Sequence, residues 1–185
     1  MARLAPIPAI LMILATAPAL PAQTPPPAQE LLAAARAAAQ DKTVFVAFHA
    51  SWCSWCRRLE ATLNRPAVKT IMDKHFVIQW LTIKERKEKA VLDNPGAAEL
   101  YAKWVGGDNA GIPFYGVLDA KGEMFSSSIR APKPGAPAEN LGYPGDPEEI
   151  RAFLDLLKDG APSLTAAELA TLGQELDAAK PAPKA

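Results

Sequence analysis

The chain has 185 residues, with 20 Lys and Arg against 20 Asp and Glu, 49% hydrophobic and 22% charged. That length fits one ordinary core with appendages rather than two comfortable domains. A net charge of zero with no long like-charge block argues against nucleic acid or an anionic membrane as a partner held by bulk electrostatics.

Seven of the 18 prolines fall before residue 31, so the first thirty residues read apart from the rest. Residues 1–22 have the layout of a secretory signal. Arg3 is positive, Ile7 to Ala17 is almost wholly apolar, and Ala17-Pro18-Ala19 or Leu20-Pro21-Ala22 offers small residues for cleavage. The apolar run, about 11 to 14 residues, is below the roughly 18 to 20 that span a bilayer, which leaves a retained anchor as the alternative. The expected location is exported, periplasmic or secreted. Residues 23–28, with Pro25-Pro26-Pro27, form an extended spacer.

The mature chain alternates helix and strand. Gln29 to Gln40 is Ala- and Leu-rich and predicts a helix. Thr43 to Ala50 is β-branched, aromatic and uncharged, as in a strand buried on both faces; Phe76 to Ile83 and Phe114 to Leu118 are similar runs. Cys56 to Asn64, Ala67 to Lys74 and Ala97 to Val105 have helical spacing, with Pro66 suited to a first helical turn. This order predicts an α/β fold with βαβ crossovers and a mainly parallel centre. Asp119 to Gly122 turns the chain into an antiparallel hairpin with a strand over Glu123 to Ile129. After a loop from Ala131 to Pro147, Pro147 to Lys158 is an amphipathic helix, and Thr165 to Glu168 matches a capping box opening a helix to about Ala178. The tail from Pro181 should be loose. The expected units are 1–22, 23–28, a domain over 29–160, and a C-terminal helix and tail over 161–185.

The sequence Trp52-Cys53-Ser54-Trp55-Cys56 carries the chain's only two cysteines, where a buried strand gives way to a helix. A first helical turn has unpaired N–H groups and partial positive charge, which lowers a thiol pKa from about 8.5 into the range of about 3.5 to 7.5. Cys53 is therefore the expected nucleophile, and Cys56, three residues on, the expected resolving thiol. Arg57 and Arg58 add positive charge nearby. Three other readings are weighed against redox exchange. A structural disulfide over two residues would restrain little of the unfolded chain, and a zinc site would have only His49 and His75 to add. Haem attachment needs a His where Arg57 stands.

Phe48 to Glu60, with Gly111-Ile112-Pro113 ahead of the third strand, resembles the thioredoxin-like superfamily, and within it exported thioredoxin-like proteins with a WCxWC motif. The resemblance covers roughly 30–160 and implies a thioredoxin fold: a central mixed sheet flanked by helices, with extra N-terminal and C-terminal helices. It implies that Pro113 is cis and faces the cysteines, and that Ile112, Pro113, Trp52 and Trp55 line the substrate groove. It implies no cofactor and no metal, and partners that are protein or peptide disulfides and dithiols. A reductase in an oxidising compartment would also require a membrane electron donor.

The chain departs from the family in the dipeptide Ser54-Trp55, which differs from the pairs usual in thioredoxins and in strongly oxidising relatives, and in the strand leading into the motif. The buried Asp of the motif's strand is Ala47 here, and its Lys partner falls near Trp80, so a charged pair is replaced by a small and a large apolar residue. Deprotonation of Cys56 then falls to solvent or another base, with Glu60 the candidate one turn beyond, and turnover should be unexceptional. His49 would tune Cys53 if its ring reached the sulfur, and otherwise packs on the sheet. Lys84 to Lys89 mixes charges and reads as a solvated segment. The 131–147 loop is long enough to line the groove.

The leading expectation is an exported thiol-disulfide oxidoreductase, reductase favoured over oxidase or isomerase, serving cell redox homeostasis. The alternative is a non-catalytic binding module whose groove holds a partner segment.

Overall fold

A computed structural model describes residues 24–107, 110–131 and 134–180. The predicted signal, Gln23 of the spacer and the tail from residue 181 lie outside the described residues.

The fold is organised around β1 (Thr43–His49), whose residues 44–48 are all buried, as a β-branched and aromatic run should be between two layers. Alternation sends Val44, Val46 and Phe48 to one side and Phe45 and Ala47 to the other. β1 pairs in parallel with β2 (Phe76–Thr82) and antiparallel with β3 (Phe114–Leu118), which pairs antiparallel with β4 (Met124–Ser127). The order is β2-β1-β3-β4.

The sheet is mixed, as the resemblance implies, but its centre is not mainly parallel. β2 ends at Thr82 beside His49 and β3 begins at Phe114 beside Phe48, so residues 83–113 leave and return at the same end of the sheet. A strand laid down that way runs antiparallel. β2 is also an edge strand, half-buried from Val77 to Trp80, where its composition suggested full burial. The register pairs Ala47 with Trp80, so the small and the large residue that stand where a charged pair was expected do lie side by side.

Helices α1 (Ala28–Ala39) and α4 (Ala97–Val105) cover the Val46 and Phe48 face. Helices α2 (Ser54–Leu63), α3 (Pro66–His75), α5 (Pro147–Gly160) and α6 (Ala166–Ala179) cover the Phe45 and Ala47 face. Their ends follow local chemistry. Pro66 and Pro147 stand in first turns, and capping boxes from Asp146 to Glu149 and Thr165 to Glu168 open α5 and α6. Phe45 centres this core, stacked on Tyr115 at 5.6 Å and edge-on to Phe76 and Phe153, each at 6.3 Å. Such pairs contribute about 0.5–1.5 kcal/mol each beyond burial. Leu172 and Leu176 bring α6 into the same core.

The strand expected over Glu123 to Ile129 breaks at Ser128. That residue is fully buried, donates its N–H to the Tyr115 carbonyl and accepts the Tyr115 N–H on Oγ. β5 (Ile129–Arg130) then pairs with β6 (Glu139–Asn140) as a separate ribbon, and Ser128 Oγ donates to Asn140 Oδ1 at 2.7 Å. The ribbon hands the chain back to the end of the sheet where β1 gives way to α2.

Candidate active site

At that end the chain turns, the Cys53 N–H donating to the Ala50 carbonyl at 3.0 Å, and α2 begins. Cys53 is the N-cap of α2, and the Cys56 N–H donates to Cys53 Sγ at 3.1 Å. An N-terminal amide that would otherwise lack a partner is thus spent on sulfur. The two cysteines form a disulfide with Cα atoms 5.3 Å apart. Cys53 is 4% exposed and Cys56 1%, so both are shielded and Cys53 is the nearer to solvent. Cys53 Sγ lies 3.5 Å from the Ile112 carbonyl oxygen, and the Ile112-Pro113 peptide bond is cis.

One flank of the pair is a cleft of about 570 Å³ lined by Trp55, Ile112, Pro113, Leu141, Tyr143 and Glu149, among others. The 131–147 loop thus borders the same space as Pro113. Asn140 ties the two together, its amide donating to the Gly111 and Pro113 carbonyls at 3.3 and 3.0 Å. Tyr143 stacks on Trp55 at 5.8 Å with Arg58 over both rings, and its hydroxyl lies 3.4 Å from Thr62 Oγ1. Trp55 is 47% exposed and borders the cleft.

The other flank is charged. Trp52 is not among the residues of that cleft. Its ring lies under the Arg86 guanidinium at 3.8 Å and its indole N–H donates to the Lys84 carbonyl at 2.7 Å. The Lys84 to Lys89 segment is therefore more than a solvated stretch. Glu85 is buried, and its carboxylate accepts both the N–H and, at 2.9 Å, the hydroxyl of Ser51. Lys89 Nζ reaches the same hydroxyl at 3.3 Å, and Arg57 donates to the Ser51 carbonyl at 2.5 Å. A signal for Glu85 was present, since it continues the alternation of buried Leu81 and Ile83 beyond the end of β2. Its charge and its charged neighbours masked it.

His49 ends β1 with Nε2 3.2 Å from Thr82 Oγ1 and its ring 5.1 Å from Trp80. Burial holds its pKa below the usual value, partly offset by the Glu60 and Glu85 carboxylates. Glu60 is half-buried on α2 and acts on His49 through its charge. Among the described residues, no group of three or more His, Cys, Asp or Glu is placed to hold a metal ion, and no helix is long and apolar enough to cross a membrane.

Residues 32–120 match a family described as Thioredoxin-like. Among solved structures, the chain is similar to a disulphide isomerase from Xylella fastidiosa Temecula1, at 23% identity over 60% of this chain and 80% of that one, with a TM-score of 0.46. It is similar to a DsbH oxidoreductase at 17% identity over 83% and 95%, with a TM-score of 0.44. A third likeness is to the C-terminal domain of Neisseria meningitidis DsbD in its oxidised form, at 25% identity over 57% and 84%, with a TM-score of 0.38. No curated protein matches the chain.

Proposed function

From residues 32–120, which belong to the thioredoxin-like superfamily, we propose that this protein exchanges disulfides with protein or peptide substrates through Cys53 and Cys56, acting as a reductase outside the cytoplasm. The observation that carries the reading is Cys53 Sγ held at the N-cap of α2, taking the Cys56 N–H at 3.1 Å and lying 3.5 Å from the Ile112 carbonyl oxygen at the edge of the cleft.

In the reduced protein, the Cys53 thiolate bonds to one sulfur of a substrate disulfide, and the other substrate sulfur leaves as a thiolate. Cys56 gives up its proton, bonds to Cys53 Sγ and expels the first sulfur. The substrate gains two electrons and the two cysteines end as the disulfide described here. The helix N-terminus supports the first step by stabilising negative charge on Cys53. The cleft beside Pro113 supports recognition, since a substrate segment laid along it meets the Ile112 carbonyl, Trp55 and Tyr143. Ala47 has no side-chain proton acceptor, so the Cys56 proton goes to solvent or, one turn away on α2, to Glu60.

The apolar run Ile7 to Ala17 supports export. A dithiol donor must return the electrons after each turnover. Equilibrium with glutathione at pH 7 tests the reading. A reversible two-electron transition near the thioredoxin value of about −270 mV is expected. Absence of exchange, or a potential well below about −300 mV as in structural disulfides, would overturn it, and a value near about −180 mV would reverse the direction.

A further inference from the structure

The Glu85 carboxylate is a buried charge that the exchange chemistry leaves unexplained. It is 9% exposed, and it holds the N–H and hydroxyl of Ser51, two residues before Cys53 in the turn that the Cys53 N–H closes on Ala50. We propose that Glu85 is a positioning residue that fixes this turn with a negative charge, raises the energy of the Cys53 thiolate and so makes the redox pair more reducing. The inference rests on the exchange reading above.

The direction follows from the charges around it. Glu85 sits at the end of α2 where the helix is electropositive, so its charge offsets there the field that favours the thiolate. Reduction creates the thiolate and oxidation removes it, so a destabilised thiolate lowers the reduction potential. The groups facing the same turn are Lys89 from the 3-10 helix Lys87–Leu92, Arg57 from α2, Arg86, whose guanidinium lies over the Trp52 ring, Asp93, whose carboxylate accepts the Glu85 N–H at 3.0 Å, and His49 at the end of β1. Arg57, Arg86 and Lys89 are exposed and screened by solvent, whereas Glu85 is buried. The buried charge therefore prevails over the three cations. Asp93 adds to its sign.

Glu85→Gln tests this in the full chain, because the amide keeps the shape, accepts the Ser51 N–H through its oxygen and donates to the Ser51 hydroxyl. The glutathione equilibrium of the pair should shift about tenfold toward the dithiol, about 30 mV more oxidising. The Cys53 thiol, followed by thiolate absorbance, should ionise at lower pH, with thermal unfolding little changed. Glu85→Asp, which keeps the charge, should stay within about twofold of the parent. Both variants shifting alike, neither shifting, or Glu85→Gln becoming more reducing would overturn the proposal. Failure of the parent protein to exchange with glutathione at all would instead overturn the proposed function.

Discussion

The two flanks of the disulfide are built from opposite materials. On the Trp55 side, Leu141, Tyr143, Ile112 and Pro113 make an apolar wall, tied to the sheet by Asn140 and by Tyr143 against α2. On the Trp52 side, Glu85, Lys89 and Arg57 make a lattice of charged hydrogen bonds around Ser51, and Arg86 lies over the Trp52 ring. The contrast assigns separate work to each. An apolar wall offers area to a substrate and little field to a sulfur, whereas a buried carboxylate changes the energy of a thiolate and offers no surface to a peptide.

The largest effect that sharpens this division is expected from Tyr143→Ala. Removing a ring that is 6% exposed and stacked on Trp55 should cost about 3–5 kcal/mol of stability. It should also raise the KM for a peptide disulfide about tenfold, roughly the value of one good aromatic contact. The potential of the pair should not move. Chemical denaturation, turnover kinetics and the glutathione equilibrium read the three separately. A shift in potential as large as that expected of Glu85→Gln would break the comparison, because the apolar flank would then be setting the chemistry.

A smaller effect is expected on the charged side as pH falls. Folding holds the His49 pKa below its unfolded value of about 6.5, so the unfolded chain binds the proton first. The contribution of neutral His49 to stability is present above that value and is lost as pH drops below it. Thermal unfolding of His49→Gln between pH 7 and 5 should therefore fall less steeply than that of the parent. Parallel slopes would remove His49 from the pH response.

The apolar and charged flanks also differ in how far they could be read from residue order. Strand β1, the Cys53 and Cys56 turn and the capping box from Thr165 were legible because each is set by local chemistry: a β-branched run, a helix mouth, a Thr three residues before Glu. The cis Pro113 was legible only through the family resemblance, and the capping box from Asp146 was not read. The 131–147 loop was legible as a lining segment by its length alone, whereas the stacking of Tyr143 on Trp55 joins residues 88 positions apart. Glu85 was hidden because burial of a carboxylate depends on a partner, and its partner, the Ser51 N–H, carries no mark in the sequence. The edge position of β2 was hidden likewise, since an apolar strand takes its depth in a sheet from its neighbours.

Trapping tests the central claim most directly. Cys56→Ser, reduced and mixed with a peptide disulfide, should accumulate a mixed disulfide through Cys53, and Cys53→Ser should accumulate almost none, because Cys56 is 1% exposed and lies behind its partner. Equal trapping by both variants, or no adduct from either while the Cys53→Ser/Cys56→Ser protein still binds the peptide, would contradict an exchanging pair and leave a binding module in its place.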